Sequence, residues 1–209
     1  MKAFIYTGGS IFPKGISERP AKDDLIIAAD GGYHNAQAMG VVPNLLLGDF
    51  DSLKKGERIP DGVEILQVPA EKDDTDTQLA VQVAIEKGAK ELYIIGGLDG
   101  RLDHTLSNLA ILEDLYAKGI RAVMTNGQNR ARFLRNSGVI LLREHFRYFS
   151  ILAADPLLKG VSVDGCKYPL KKAKLQKTRQ YAVSNEIVGN CALIEIKKGG
   201  AWVIESNDQ

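Results

Sequence analysis

Six short apolar runs separated by helix-like stretches fill the chain up to about Asn126, and no other feature restricts its fold as strongly. The runs "AFIYT", "LIIAA", "NLLLG", "VEILQV", "ELYIIGG" and "RAVMTN" have the length and composition of strands. Between them lie "YHNAQAMG", "TDTQLAVQVAIEKG" and "DHTLSNLAILEDLYAKG", closed by Gly40, Gly88 and Gly119 where a left-handed residue ends a helix. Such alternation predicts an α/β unit with a mainly parallel sheet and right-handed crossovers. Thr75 and Gln78 have capping-box spacing, with Leu79, Val83 and Ala84 expected to face the sheet. In the next helix Leu102, Leu106, Leu109, Leu112 and Tyr116 recur every three or four residues and predict a buried stripe.

From about Gly127 the pattern changes. "ARFLRN", "GVILLRE", "YFSILAA", "VSVDG", "CALIEIKK" and "AWVIES" are β-like runs punctuated by Gly, Asn and Pro, with no helix among them. The expected organisation is an α/β domain over residues 1–126 and an all-β domain over residues 127–209. The charge run "KYPLKKAKLQKT" reads as a solvated hairpin or loop, with phosphate binding as the alternative.

Composition narrows the function classes. At 209 residues and 44% hydrophobic, the chain can bury a core without disulfides. Lys plus Arg number 27 against 26 for Asp plus Glu, a formal net charge of +1, so no global field points to nucleic acid or an acidic membrane surface. No apolar run approaches the roughly 18 residues of a membrane span, and "MKAFIYTGGS" turns polar too early for a secretory leader. Cys166 and Cys191 lie outside any C-x-x-C spacing, which suits two small buried hydrophobes in a reducing compartment; the expected location is the cytoplasm.

The chemistry is expected at the carboxyl ends of the strands, where open α/β sheets bind ligands. Four polar clusters fall there: Asp30-Gly31-Gly32, Gly48-Asp49-Phe50-Asp51-Ser52, Lys72-Asp73-Asp74-Thr75-Asp76, and the run from Gly96 to His104. So many aspartates at one edge repel one another, which calls for a positive partner, and hard carboxylate oxygens suit Mg²⁺ carrying substrate phosphates. The glycines let backbone N–H groups approach a phosphate or ribose. Each cluster also has a plainer explanation. Asp73, Asp74 and Asp76 suit a helix N-terminus through its dipole alone, Gly31-Gly32 suits a turn, and His104 suits packing. Arg101 either pairs with Asp99 or Asp103 or contacts phosphate. Asp49 and Asp51 are the most pointed signal, because an apolar run leads directly into two acids on one side of an extended chain. No G-x-x-x-x-G-K-[ST] occurs, no G-x-G-x-x-G opens a helix, and no nucleophile and histidine share local support, so a P-loop and covalent catalysis are not expected.

Taken in order, "ADGG", "GDFDS", "KDDTD", "GGLDGRLDHTLSN" and the later "VSNE" resemble the motifs of the thiamine pyrophosphokinase family across nearly the whole chain. That resemblance implies transfer of the pyrophosphoryl group of ATP to the hydroxyethyl oxygen of thiamine, with release of AMP. It also implies an N-terminal three-layer α/β domain, a C-terminal β-sandwich, and a homodimer with active sites shared between subunits. Mg²⁺ is then carried by Asp49, Asp51, Asp73 and Asp76, while Asp74 fills the variable position of the D-x-T-D pattern. The nucleotide is placed near Asp30, Gly31, Gly32, Gly96, Gly97 and Arg101, together with Asp103 and His104. Thiamine is placed near Thr75 and Asp76 and near Ser184 and Asn185 of the other subunit. Catalysis falls to Asp49, Asp51, Asp76 and Arg101, with Asp76 as first choice for the proton acceptor. Trp202, the only tryptophan, offers the cationic ring a stacking face, or else belongs to the sandwich core or dimer interface. Two other classes remain open on the residues alone: a metal-dependent nucleotide or pyrophosphate phosphohydrolase, and a non-catalytic thiamine or nucleotide sensor.

Overall fold

A computed structural model describes residues 1–50, 58–68 and 74–208. Asp51 and Asp73 lie outside the described residues. The chain divides into two units, Met1–Gly127 and Gln128–Gln209.

The first unit runs β1 (Lys2–Tyr6), β2 (Leu25–Ala29), α1 (Gly32–Ala38), β3 (Leu45–Gly48), β4 (Glu64–Gln67), α2 (Asp76–Glu86), β5 (Glu91–Ile95), α3 (Leu102–Ala117) and β6 (Arg121–Thr125). Its strands pair in parallel in the order β4-β3-β2-β1-β5-β6. The expected α/β architecture is therefore present. Strands travel outward from β1 to β4, and β5 then returns to the other flank of β1. This reversal makes the gap between the ends of β1 and β5 the topological switch point.

Both faces of the sheet are covered, as parallel sheets require. Phe4, Tyr6, Ala28, Leu46 and Ile95 pack with Tyr33 and Ala36 of α1. Ile5, Ile27, Leu45, Leu47 and Ile94 alternate to the opposite face and are equally buried. Helix α2 turns Ala80, Val81 and Ala84 inward; Ala84 matches the expected face, but Leu79 and Val83 are only half-buried, which corrects that part of it. Small alanines let the helix lie close to the strands, and this shifts its buried phase.

The expected stripe on α3 is also displaced. Asn108, Ile111, Leu112 and Leu115 are buried, whereas Leu102 and Leu106 are 70% and 58% exposed. The first turn of α3 follows directly on the turn after β5, so it begins at the carboxyl edge of the sheet with little strand beneath it. No helix among the described residues is long and apolar enough to cross a membrane.

The second unit is all β: β7 (Asn129–Arg135), β8 (Gly138–Leu142), β9 (Tyr148–Ala153), β10 (Leu157–Asp164), β11 (Leu170–Gln176), β12 (Cys191–Lys198) and β13 (Gly200–Ser206). Strands β7-β13-β9 and β11-β10-β12-β8 form two antiparallel layers. Phe149, Ile151 and Val203 of one layer and Leu158, Val161, Val163, Leu175, Ile194 and Ile196 of the other fill the space between them, a β-sandwich. Of the two forms expected for the charge run "KYPLKKAKLQKT", hairpin or loop, most of it takes the first: it forms edge strand β11, antiparallel to the preceding β10, with Leu175 in the core and Lys171, Lys172 and Lys174 in solvent. Cys166 packs partly against the core, but Cys191 is exposed at the start of β12, against the expectation that both are buried.

Candidate active site at the switch point

Two glycine turns meet at the reversal in strand order. The first, Thr7-Gly8-Gly9, leaves β1; the second, Gly96-Gly97, leaves β5. The Thr7 backbone N–H donates to Ile95 O at 2.9 Å and keeps the two strand ends together. Gly96 and Gly97 have φ of 107° and 72°, in the left-handed region. A Cβ on Gly96 would lie 2.7 Å from Thr7 Oγ1, and one on Gly97 would lie 2.7 Å from Asn108 Nδ2. Only glycine permits this approach.

Two asparagines hold the turns from the flanking helices. Asn35 Nδ2 on α1 donates to Thr7 O at 2.6 Å and Gly9 O at 3.0 Å. Asn108 Nδ2 on α3 donates to Gly97 O at 2.9 Å. Between the turns, Asp99 Oδ1 accepts from Ser10 N–H at 3.1 Å. The two asparagine amides thus occupy the carbonyl oxygens of Thr7, Gly9 and Gly97.

The result is a cleft of about 530 Å³, within the usual range for small-molecule sites. Its walls include Thr7, Gly8, Gly9, Asp30, Asp74, Thr75, Asp76, Gly97, Asp99, Arg101, His104 and Asn108. Of the residues singled out from sequence, Asp30, Thr75, Asp76, Gly97, Arg101 and His104 thus reach one cavity. Gly31 and Gly32 shape the approach instead. Gly32 opens α1 so close to β1 that a Cβ there would lie 2.0 Å from Tyr6 O. Gly96 is buried beneath the turn. Asp49 follows β3, and Phe50 next to it turns the chain with φ 66°; Asp49 is not part of the cleft wall.

Thr75 forms the capping box read from sequence. Its Oγ1 accepts from Gln78 N–H at 3.2 Å, and Gln78 Oε1 accepts from Thr75 N–H at 2.9 Å. The hydroxyl proton of Thr75 stays available to the cleft. Asp76, the first residue of α2, sits where the helix dipole favours a carboxylate. Arg101 makes a bidentate pair with Asp103 at 3.1 and 2.6 Å, one of the two partners open from sequence. The guanidinium, helped by the His104 N–H, holds the Asp103 carboxyl below the usual carboxylate range, and Arg101 is raised in turn. Both groups are largely solvated, so the pair orients the guanidinium without adding much stability.

Among the described residues no three acidic, histidine or cysteine side chains are grouped to hold a metal ion. Two of the four acids assigned to the metal, Asp51 and Asp73, are outside the described residues. The donor chemistry of the described part still fits a hard cation, because Asp30, Asp74, Asp76 and Asp99 line one cleft with carboxylate oxygens.

Ser184, Asn185 and Trp202 belong to the second unit. Asn185 is buried, and its side chain accepts from Tyr168 N–H and Glu186 N–H and donates to Tyr168 O. It pins one loop to another. Ser184 has φ 55° and is exposed, and its N–H donates to Ser150 Oγ at 3.0 Å. Beside them Tyr168, Tyr181, Val183 and Asn185 line part of a small cavity of about 240 Å³. Trp202 is half-buried, edge-on to Phe133 at 5.9 Å, and alternates away from the core residues Ala201 and Val203. The sandwich core is therefore not its place.

Thr7, Gly8, Gly9, Asn35 and Asn108 were not singled out from sequence. "TGGS" after the first apolar run carried a signal, since a Gly-Gly pair also follows the second and fifth runs. Asn108 closes the run "GGLDGRLDHTLSN" without a role of its own being read from it, and Asn35 carried no signal.

The family described as thiamin pyrophosphokinase, catalytic domain, matches residues 18–124, and that described as thiamin pyrophosphokinase, vitamin B1 binding domain, matches residues 139–199. A thiamine pyrophosphokinase of Bacillus subtilis (strain 168) is 31% identical over 188 residues, covering 88% of this chain and 88% of that protein. The crystal structure of thiamine pyrophosphokinase from Bacillus subtilis matches 100% of both chains with a TM-score of 0.89 at 25% identity. That of a thiamin pyrophosphokinase family protein from Enterococcus faecalis matches 100% of both chains with a TM-score of 0.80 at 27% identity.

Proposed function

The chain belongs to the thiamine pyrophosphokinase family, and on that premise we propose that it transfers the pyrophosphoryl group of ATP to the hydroxyethyl oxygen of thiamine, giving thiamine diphosphate and AMP. The observation that carries the reading is the convergence of Asp30, Thr75, Asp76, Gly97, Arg101 and His104 on one cleft at the switch point. Phosphoryl transfer asks a protein chiefly for positioning and charge neutralisation, which fixed backbone donors, a cation and acids can supply.

In this reading the Thr7–Gly9 and Gly96–Gly97 turns take the nucleotide. Arg101 has two of its donor nitrogens committed to Asp103, and its remaining N–H groups are free to meet a phosphate oxygen. Asp49, Asp51, Asp73 and Asp76 would hold Mg²⁺, which supplies charge neutralisation to the phosphates. Asp76 accepts the thiamine hydroxyl proton. Asp76→Asn is expected to lower kcat by at least about 100-fold, and a wild-type rate with Mg²⁺ still bound removes that role.

Ser184 and Asn185 lie in the part of the chain that matches the vitamin B1 binding domain, which supports placing thiamine there. A homodimer would bring that surface of one subunit to the cleft of another, and two unpaired cysteines suit the cytoplasm. The decisive experiment is AMP formation from ATP with and without thiamine, with Mg²⁺ present or chelated. Thiamine-dependent AMP that disappears on chelation is the expected result. Equal ATP consumption without thiamine would assign a phosphohydrolase instead.

A further inference from the structure

The near-zero net charge of the chain hides a strong segregation. Lys and Arg are outnumbered thirteen to nineteen by Asp and Glu in Met1–Gly127, and outnumber them fourteen to seven in Gln128–Gln209. Within the second unit the excess gathers on one layer. Strands β8, β10, β11 and β12 carry Lys159, Lys171, Lys172, Lys174, Lys197 and Lys198, all exposed. None of the six forms an ion pair among the described residues.

Their arrangement works against stability. Lys159 on β10 is directly opposite Lys174 on β11 and Lys198 on β12. Neighbouring strands are about 4.8 Å apart, inside the Debye length of about 8 Å at physiological salt, and like charges placed opposite one another are unfavourable. Leu158 and Leu175, the adjacent pair, lie in the core, so Lys159 and Lys174 fall on the outer face. The stem of Lys197 covers Gly160, where a Cβ would come within 2.9 Å of it. Lysines on edge strand β11 can be explained as a guard against edge-to-edge pairing. That explanation does not reach Lys159, Lys197 and Lys198, which lie on interior strands.

The same outer face carries exposed aliphatics at its other corner. Ile140 of β8 is opposite Leu193 of β12, and Leu142 is opposite Cys191; Ile140, Leu142 and Leu193 are 59%, 61% and 49% exposed. Asp164 and Glu195 are the acids on these four strands. No arginine and no aromatic residue occurs in them, so the face lacks both the guanidinium fork that reads nucleic-acid phosphates and the rings on which bases stack. Flexible ammonium groups on apolar stems beside exposed aliphatics suit the headgroup layer of a bilayer.

We propose that the outer face of this four-stranded sheet docks on an anionic phospholipid surface. The inference does not depend on the proposed reaction. It is tested by co-sedimentation of the intact protein with phosphatidylcholine vesicles, with and without phosphatidylglycerol, at low and high salt. Binding is expected only to the anionic vesicles and is expected to weaken with salt. Each lysine near an anionic leaflet contributes roughly fivefold, so losing three positive charges costs about 100-fold, and K159E/K174E/K198E, which also adds three negative ones, should weaken binding by at least that much. Ile140→Ser with Leu193→Ser should weaken it at low and high salt alike. These side chains are exposed, so both variants should keep the wild-type melting temperature and rate of AMP formation. No binding to anionic vesicles at low salt overturns the proposal. So does wild-type binding by the lysine variant, tighter binding to duplex DNA than to vesicles, or a lysine variant whose defect is loss of self-association.

Discussion

Asn35 shows how much a side chain without a sequence signal can decide. Its amide holds Thr7 O and Gly9 O and so fixes the turn that faces the nucleotide in the proposed reaction. Asn35→Ala removes two hydrogen bonds worth about 1 kcal/mol each and should lower kcat/KM for ATP about tenfold while leaving KM for thiamine unchanged. Asn35→Asp should not rescue it, because an ionised carboxylate cannot donate to carbonyl oxygens. Steady-state kinetics on the two variants checks this, and recovery by aspartate would show that shape rather than donation matters. Asp155 has a different role. It accepts from Arg135 at 2.7 and 3.0 Å and from Gly200 N–H at 3.0 Å, tying β7 to the start of β13. The Arg135 bonds hold its carboxyl below the ordinary value. A depressed folded-state pKa gives stability that is complete above about pH 4, where aspartate in the unfolded chain is ionised, and that is lost as pH falls through the lower folded value. Asp155→Asn should therefore cost of order 1 kcal/mol near neutrality, since the pair is partly solvated, and the gap from wild type should close in acid. Melting temperatures across that range decide it.

Among the elements, α3 separates the buried positions from those that are only periodic. Leu106 and Leu112 are equally apolar in sequence, yet one is exposed and the other fully covered. Leu112→Ala should cost about 2–5 kcal/mol through the cavity it leaves, and Leu106→Ser should stay within about 0.5 kcal/mol. Denaturant unfolding of the pair tests which stripe faces the sheet. The exposed first turn of α3 nevertheless has work to do, because Arg101 and His104 reach the cleft from there while Asn108, one turn on, holds Gly97. A helix that starts beyond the sheet edge gives up apolar burial in its first turn and places polar groups over the strand ends in return. Strand β11 makes a related point. In sequence its charge run fits a hairpin strand or a loop equally well, because a solvent-facing edge strand needs few apolar residues, and only Leu170 and Leu175 mark its inner side.

For the whole molecule, the proposed function joins a cleft in the first unit to a vitamin-binding surface in the second, and a shared-site homodimer predicts that specific activity falls on dilution as subunits separate. Activity that stays constant per subunit while ultracentrifugation shows monomer would remove the shared site. Six mainly parallel strands and three helices, the change to β structure near Gly127, the Thr75 cap and the polar clusters at the strand ends can all be read from the order of residues alone. Each is written locally, in runs, periods and turn residues a few positions apart. The family was legible for the same reason, since its motifs are short and lie in order. The strand order emerges from packing, and with it the meeting of the first glycine turn, Thr7–Gly9, with the turn after β5 across the switch point. Only there do Asn35 and Asn108 acquire partners 28 and 11 residues away. The same holds for charge, because a net value of +1 sums over the chain and cannot report that lysines from three strands share one face. Side chains brought together by pairing register and packing leave no periodic trace, since their separation along the chain is set by the loops and elements between them.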